Sequence, residues 1–351
     1  PAETAAGSCV RAADLDGDGL PEIVVGGRAV PGRFPEAERS FVLKRDSGGA
    51  YADATAALCP DLARLGMVTD LELGDLNGDG QAELLVLGDW MGLKVFQREG
   101  KGYVDRSATW GLEASAGWWN CLTLADLDGD GDLDLAAGNE GLNHRFRASA
   151  GAPMRLFAQD FDHNGSLDPL LCIADDDVYR PVPQRDALAA QVPMVKKKFP
   201  RYAPYAAAAV TDIFPEKDLL SGLCLEAKTF ESQWFENRQG RLVAHPLPLA
   251  AQVAPVQDVV AADFNGDGKT DLLALGNEYG AEIETYQQDA SRGCLLLSDG
   301  QGAFSALPHW QSGLLTRGDV RRAVLLRGAK GQRLLLVTNN DGRVQGFGVR
   351  R

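Results

Sequence analysis

Five short acidic segments constrain the fold of this chain more than any other feature. Each has oxygen-bearing side chains at its positions 1, 3, 5 and 9 and a glycine at position 6. We number them loop 1 (residues 14–22), loop 2 (75–83), loop 3 (126–134), loop 4 (160–168) and loop 5 (263–271). Crowded carboxylates repel one another unless a cation neutralises them, and hard oxygen donors around a tight turn suit Ca²⁺, which takes about six to eight oxygens. We therefore expect about five Ca²⁺ sites.

The candidate metal ligands are the side chains at positions 1, 3, 5 and 9 of the five loops. They are Asp14, Asp16, Asp18 and Glu22; Asp75, Asn77, Asp79 and Glu83; Asp126, Asp128, Asp130 and Asp134; Asp160, Asp162, Asn164 and Asp168; and Asp263, Asn265, Asp267 and Asp271. Loop 3 is the richest in carboxylates, whereas loop 4 has an asparagine at position 5 and His163 at position 4. We therefore expect loop 4 to have the lowest calcium affinity of the five loops, below that of loop 3.

The segments that flank the loops predict β-hairpins rather than EF-hands. An EF-hand needs a glutamate at position 12 and a helix on each side. Position 12 is apolar in all five loops: Val25, Val86, Ala137, Leu171 and Ala274. A short apolar run follows each loop and a strand-like segment precedes it, as at residues 121–125, which indicates buried strands. Each loop is thus predicted to be the turn between two antiparallel strands.

The spacing of the loops predicts a repeated architecture. Their first aspartates are separated by 61, 51, 34 and 103 residues. A period near about 50 residues is typical of repeated antiparallel sheets. The long interval leaves room for a sheet without a loop, with its outer hairpin at 229–246, and a last such sheet is expected at 320–349. We predict an all-β fold, a single β-propeller of about seven blades over residues 1–351, with Ca²⁺-binding hairpin loops in five blades and a helical or loop insertion at about 184–209.

Composition and charge bear on location and partners. No apolar run is long enough for a transmembrane helix. Five Ca²⁺ ions would bring the formal net charge of −14 to −4, and nucleic-acid binding would need a basic patch instead. Loops of modest affinity suit millimolar extracellular calcium, so we expect an exported protein, extracellular, at the cell surface or in the periplasm. The sequence starts at Pro1 without an apolar leader, and we expect a processed product or a fragment.

The six cysteines leave two readings open. They are widely scattered along the chain. Most can be small buried hydrophobic side chains, or at least one pair can form a disulfide.

Function is expected on the face opposite the loops. The loops all join a first strand to a second strand, so the segments that enter first strands and leave second strands meet at the other face. These segments carry aromatic, amide and acidic groups that would converge in a funnel for a ligand or partner. The candidate ligand-binding residues are Trp90, Trp118, Trp119, Asn120, Asn139, Glu140, Asn143, Asn277, Glu278 and Tyr279. Alternatively, Trp118 and Trp119 pack between blades, and the Gly-Asn-Glu segments at 138–140 and 276–278 only form turns.

The loops and several other segments resemble a known repeat family. The loop pattern with its following strand resembles the FG-GAP/VCBS repeat, which also occurs in the integrin α-chain propeller. The segments LGMVTD (65–70), SAGWWN (115–120), GNEGLN (138–143), KKKFPR (196–201) and GNEYGAEIE (276–284) are similar to bacterial VCBS proteins that often carry an ASPIC/UnbV segment, and to the cartilage acidic protein group. No ASPIC/UnbV segment is seen here. The resemblance implies a propeller fold and export more than a particular activity.

The sequence favours binding over catalysis. The four histidines have no metal-ligand spacing, and neither G-x-S-x-G nor H-E-x-x-H occurs. We expect a calcium-stabilised, non-catalytic binding or assembly module for a protein or glycan. One alternative is a polysaccharide lyase, with Tyr279, His144 or Lys197 as the base. The other is a structural spacer in a larger envelope assembly.

Overall fold

The computed structural model of the chain describes residues 6–176, 178–281 and 286–349. β-Strands predominate within these ranges, as predicted, and they form six antiparallel sheets where about seven blades were expected. No described helix is long and apolar enough to cross a membrane. All six cysteines are free thiols in the structure.

Sheets 1 and 2 are formed by consecutive strands, each with an acidic loop between its first two strands. Sheet 1 contains β1 (Gly7–Ala13), β2 (Glu22–Gly27), β3 (Phe41–Arg45) and β4 (Tyr51–Asp53). A short helix α1 (Thr55–Leu58) and a 3₁₀ turn (Pro60–Arg64) connect it to sheet 2. Sheet 2 contains β5 (Met67–Gly74), β6 (Glu83–Met91), β7 (Lys94–Glu99) and β8 (Gly102–Asp105), and β9 (Gly117–Trp118) pairs with the end of β6.

Sheet 3 is interrupted in the sequence by sheet 4. It begins with β10 (Cys121–Ala125) and β11 (Asp134–Gly138) and ends with β16 (Gln233–Asn237) and β17 (Leu242–Pro246). The intervening chain builds sheet 4 from β12 (Met154–Gln159), β13 (Asp168–Asp175), β14 (Val178–Pro181) and β15 (Leu223–Ala227). Because β11 pairs with β16, the hairpin predicted at 229–246 completes sheet 3 and does not belong to a separate sheet.

Five short helices fill the connection from β14 to β15. They are α2 (Arg185–Gln191), α3 (Met194–Lys198), α4 (Tyr202–Ala207), α5 (Val210–Ile213) and α6 (Glu216–Ser221). The predicted insertion at 184–209 is helical and extends further, to residue 221. The helices bury one face of sheet 4; Phe214 stacks on Phe161 with ring centroids 4.2 Å apart.

The last two sheets are again formed by consecutive strands. Sheet 5 follows a 3₁₀ turn (Leu249–Ala251) and contains β18 (Asp258–Ala262), β19 (Asp271–Leu275), β20 (Cys294–Ser298) and β21 (Phe304–Leu307). Helix α7 (His309–Ser312) leads to sheet 6, which contains β22 (Val320–Arg327), β23 (Arg333–Asn339) and β24 (Gln345–Val349).

Sheets 1, 2, 3, 5 and 6 pack face to face in that order. Apolar side chains fill each interface; Val24 and Leu84 meet between sheets 1 and 2, and Leu275 and Val337 between sheets 5 and 6. The first strands β1, β5, β10, β18 and β22 surround one axial cavity of about 670 Å³. The first strands pack side by side in the order β1, β5, β10, β18 and β22.

The fully buried carboxylate of Asp70 ties the first strands together at the axis. It lies 3.3 Å from a guanidinium nitrogen of Arg11 on β1 and 3.1 Å from one of Arg322 on β22. It also accepts the backbone N–H of Leu122 on β10 at 3.2 Å. Arg322 reaches Asp258 on β18 as well, at 3.3 Å. These charge-assisted hydrogen bonds link strands that are far apart in the sequence.

Candidate functional site

Each acidic loop closes a hairpin in the structure, as predicted. In sheet 1, for example, Ala13 pairs with Glu22 at the ends of the two strands that loop 1 connects. The carboxylate at position 9 is buried in every loop. One of its oxygens accepts the backbone N–H of position 2 over 2.7–2.9 Å; the donors are Leu15, Leu76, Leu127, Phe161 and Phe264. This repeated hydrogen bond holds position 9 under the turn.

The carboxylate at position 1 orders the rest of the turn. In loop 1, Asp14 accepts the backbone N–H groups of Gly17, Asp18 and Gly19 at 2.7, 3.1 and 2.9 Å. The position-6 glycine has a positive φ, for example 86° at Gly19, which a side chain would make costly. Position 4 has the same requirement and is glycine in four loops, but in loop 4 it is His163 with φ of 60°.

The side chains at the remaining positions converge and fit a calcium ion. In loops 1, 3 and 4, carboxylate oxygens of three residues lie within 4.8 Å of one another. Asp132 Oδ1 in loop 3 is buried without a hydrogen-bond partner in the described part of the chain. Burial, followed by neighbouring carboxylates, raises the pKa of Asp134 to about 7 and that of Asp132 to about 6. All these groups are hard oxygen donors, which is the donor set that Ca²⁺ takes.

At the ends of sheets 1, 2, 3 and 5 that lie opposite their acidic loops are two adjoining cavities of about 430 and 380 Å³. We call the joined cavity the funnel; its two parts share Trp118, Glu140, Pro169, Leu171 and Glu278. The ends of sheets 1, 2, 3 and 5 contribute polar groups to it. Sheet 4 forms a roof above them, because its second face, away from the helices, packs on the aromatic cluster described next.

An aromatic cluster forms the floor of the funnel. The half-buried Trp118 lies at its centre, with ring centroids 5.0 Å from Trp90, 4.8 Å from Phe230 and 5.9 Å from Phe146. The short pairing of β9 with the end of β6 places Trp118 next to Trp90, whose φ of 60° turns the chain at this point. Edge-to-face contacts of this kind stabilise the cluster.

The charged side chains that line the funnel are three carboxylates, Asp89, Glu140 and Glu278, and two guanidinium groups, Arg28 and Arg145. Burial, with smaller contributions from Asp89 and Glu278, raises the pKa of Glu140 to about 7. Asp89 forms a salt bridge with Arg28 at 2.6 Å, and Glu278 forms one with Arg321 at 2.9 Å. Glu140 accepts a hydrogen bond from the amide of Gln288, which is neutral. Glu140 is therefore the carboxylate of the funnel that lacks a cationic partner within the described chain.

Other polar groups in the funnel wall have unused hydrogen-bonding capacity. The indole N–H of Trp118 and the amide nitrogen of Asn120 are shielded and meet no acceptor among the described residues. The imidazole of His144 is fully used instead, because Nε2 donates to the Gly141 carbonyl at 2.9 Å and Nδ1 accepts the Phe146 N–H at 3.1 Å. Burial lowers the pKa of His144 to about 4, so it is neutral at physiological pH.

Five of the ten predicted ligand-binding residues line the funnel: Trp90, Trp118, Asn120, Glu140 and Glu278. The other five lie elsewhere: Trp119, Asn139, Asn143, Asn277 and Tyr279. Trp119 is fully buried between sheets 2 and 3 and donates to the Ser115 carbonyl at 2.8 Å. Tyr279 lines a separate cavity of about 620 Å³.

The three asparagines outside the funnel brace turns. Asn139 accepts the backbone N–H groups of Trp118 and Glu140, and Asn277 donates to the carbonyls of Ser291 and Gly318. Asn143 donates to the Val253 carbonyl. Asn139 and Asn277 are buried. Their side chains fix the positions of Glu140 and Glu278, which follow them in the sequence.

Sequence reasoning missed the roof of the funnel. Pro169, Leu171, Val182 and Pro183 line it from sheet 4 and the start of the helical insertion. Nothing in their local pattern distinguishes them from ordinary apolar strand and turn residues. Their role depends on the placement of sheet 4, which a local pattern does not encode.

The chain was compared with curated proteins and with solved structures. No curated protein matches the chain. The chain is similar to a lectin from Agrocybe aegerita that recognises non-reducing terminal N-acetylglucosamine (15% identity, 99% of this chain and 81% of that chain, TM-score 0.29). It is also similar to the V. cholerae biofilm matrix protein Bap1 (13% identity, 97% and 67%, TM-score 0.33). Likenesses of this size carry no argument about what this protein binds.

Family models match two segments that contain acidic loops. Residues 75–137 match the FG-GAP-like repeat and include loops 2 and 3. Residues 256–292 match the FG-GAP repeat and include loop 5. The chain thus contains FG-GAP repeats in two places, each built around the strand–acidic loop–strand hairpins described above.

Proposed function

We propose that this chain is an exported, calcium-stabilised β-propeller module that binds a glycan in the funnel without catalysing a reaction. The observation that carries the proposal is the aromatic floor around Trp118 beside the carboxylates of Glu140 and Glu278. Binding pockets for small ligands combine an apolar wall with a few polar groups and typically enclose about 300–1,000 Å³. Both parts of the funnel fall in this range.

A sugar ring suits these groups because it has an apolar face and a rim of hydroxyls. The indole of Trp118 can pack against the apolar face, since tryptophan offers a large flat surface. Glu140 and Glu278 accept hydrogen bonds from hydroxyls, and the amide of Asn120 donates to them. The unused donors in the wall also favour a ligand with oxygen acceptors, because an unpaired buried donor costs free energy.

The charge of the funnel selects among glycans. Arg28 and Arg321 are each engaged by a carboxylate. Arg145 lies over the Phe146 ring, 5.0 Å from its centroid, and Glu140 has only an amide partner. A uronate or sulfated sugar would place a second negative charge near Glu140, and we therefore propose a neutral or amino sugar. The same repulsion disfavours a lyase that acts on uronates. The three side chains considered as its base are also dispersed: His144 lines the funnel, Tyr279 lines another cavity, and Lys197 is exposed on α3.

The calcium and export parts of the proposal rest on the loops. Loops 1, 3 and 4 present convergent carboxylate oxygens, and calcium at extracellular concentrations would neutralise them. Sheets 1, 2, 3, 5 and 6 around one axial cavity support a propeller-like ring, into which sheet 4 is inserted.

The test is binding of the calcium-loaded full chain to a panel of immobilised neutral, amino and uronic oligosaccharides, followed by titration calorimetry of the best binder. Trp118→Ala should weaken binding at least about tenfold, which corresponds to about 1.4 kcal/mol. Glu140→Gln should weaken it without disturbing the aromatic floor. The matched control is Trp310→Ala, because Trp310 on α7 is 73% exposed and does not line the funnel. Binding of uronic chains alone, or equal losses in the control, would contradict the proposal.

A further inference from the structure

Lys44 places an ammonium group within loop 1. Its Nζ lies 2.5 Å from Asp16 Oδ2, 2.6 Å from Asp18 Oδ2 and 3.2 Å from Glu22 Oε1. These three carboxylates occupy positions 3, 5 and 9 of the loop. The nitrogen therefore sits where three of the four candidate ligand positions converge, and each contact is a charge-assisted hydrogen bond.

The β3 strand brings Lys44 to this point through its pairing register. Ile23 pairs with Leu43, so Lys44 lies opposite Glu22 at position 9. The same position in the third strand of the other sheets is occupied differently. The pairs Leu84–Phe96, Leu135–Phe235 and Leu272–Leu296 place Gln97, Glu236 and Leu297 opposite position 9 of loops 2, 3 and 5.

Loop 4 has no such neighbour in its sheet. The pairing of β13 with β14 runs from Asp175 to Cys172 and ends before Asp168. In the part of the chain that the structure describes, no carboxylate of loops 2 to 5 forms a salt bridge. Loop 1 thus differs from the other four in having a cation supplied by a neighbouring strand.

We propose that Lys44 supplies one positive charge to loop 1 from within the protein and competes with calcium there. The chain then binds calcium more weakly in loop 1 than in loops 2 to 5, including loop 4, for which the sequence predicted the lowest affinity. This inference rests on the proposed calcium binding of the other loops. A divalent ion that enters loop 1 must displace an ammonium held by three carboxylates, and the displaced charge stays nearby because Lys44 is anchored on β3. Repulsion between the two cations lowers the calcium affinity.

The consequence is a sheet whose hairpin depends less on calcium than the others. When calcium is removed, the carboxylates of loops 2 to 5 have no salt-bridge partner among the described residues, whereas three of the four carboxylates of loop 1 keep the Lys44 ammonium. The Glu22 carboxylate, which is 1% exposed, then retains both the Leu15 N–H and the Lys44 ammonium as partners.

The test compares the full-length wild type with Lys44→Gln, which introduces the residue found opposite position 9 in sheet 2. Native mass spectrometry at about 0.1 mM free calcium, a concentration at which extracellular modules begin to fill, should show four bound ions in the wild type and five in Lys44→Gln. The matched control is Lys94→Gln, since Lys94 pairs with Asp105 away from any loop; it should bind four. In EDTA, Lys44→Gln should melt below the wild type and regain the difference when calcium is added.

Five ions of equal affinity in both wild type and Lys44→Gln would overturn the role of Lys44 and leave the calcium proposal standing. Binding of no calcium by any variant would overturn both. Loss of Lys44→Gln stability that calcium fails to restore would mean that the lysine acts only as a structural ion pair.

Discussion

Replacing Glu140 by glutamine should stabilise the protein at neutral and alkaline pH while weakening the proposed ligand binding. The pKa of Glu140 is raised from its ordinary value of 4.5 to about 7 by burial. The folded protein therefore holds a proton, between about pH 4.5 and 7, that the unfolded chain has already released. Stability contributed by this group is fully present below pH 4.5 and is lost as the pH rises through 7.

The size of the effect follows from the two pKa values. The pKa of Glu140 in the folded protein lies about 2.5 units above its ordinary value, and each unit corresponds to about 1.4 kcal/mol. At pH 8 the ionisation of Glu140 therefore lowers the free energy of unfolding by about 3 kcal/mol. Glutamine is neutral at all pH values and can still accept from the Gln288 amide. Glu140→Gln should thus match the wild type near pH 4.5 and exceed its free energy of unfolding by up to about 3 kcal/mol at pH 8.

The assay is urea unfolding of wild type and Glu140→Gln with saturating calcium at intervals from pH 5 to 8.5. The control variant is Glu113→Gln, because Glu113 is exposed and its replacement should shift stability equally at all pH values. A difference between wild type and Glu140→Gln that stays constant with pH would refute the reasoning. We expect one substitution to raise stability and to weaken binding. Such a trade-off is typical of binding sites, where residues needed for function reduce the stability of the fold.

Three further predictions concern the acidic loops. Removing calcium with EDTA should lower the melting temperature, because each filled site contributes about 2.7 kcal/mol when calcium is at a hundred times its Kd; an unchanged melting temperature would contradict a structural role for the ion. Gly131→Ala should destabilise the protein by about 1–2 kcal/mol, since Gly131 has a φ of 96° although a Cβ would meet no neighbour; Gly151→Ala, at an open site without positive φ, should have little effect in the same thermal scans. His163→Gly should stabilise loop 4 by about 0.5–1 kcal/mol, as relief of its left-handed backbone exceeds the added entropy of glycine, and calorimetry should show tighter calcium binding at that loop.

The hairpins were predictable because their signals are local. The position-1 and position-9 carboxylates, the glycine turn and the following apolar run lie within about a dozen residues, and the structure places them as expected. The partner of β11 was not predictable in this way. Its pairing with β16 joins residues such as Leu135 and Phe235, and neither strand carries a pattern that specifies the other across the intervening sheet.

The funnel was predictable only in the part that the strand ends of the ring contribute. Glu140 and Glu278 follow equivalent asparagines at the ends of second strands, and topology alone brings them to one face. The burial of Trp119 beside the half-exposed Trp118 follows from strand alternation and the tight sheet 2–sheet 3 interface. The sequence does not distinguish Trp118 from Trp119. Which of the two is accessible depends on what packs against the side of the strand to which each side chain points.

The interruption of sheet 3 gives the roof of the funnel a particular independence. The chain leaves β11 and returns to β16 at residues that are hydrogen-bonded neighbours, with Ala137 paired to Gln233 and the Asn139 N–H bound to Ser232 Oγ at 3.0 Å. An inserted unit whose two ends meet at one point does not pull its host strands apart, and each doubling of its length costs only about 0.6 kcal/mol more in loop-closure entropy. The roof can therefore be exchanged or enlarged over evolution as long as the apolar side chains of Met67 and Trp90 beneath it stay covered, and specificity can diverge by replacing the inserted sheet instead of remodelling the ring.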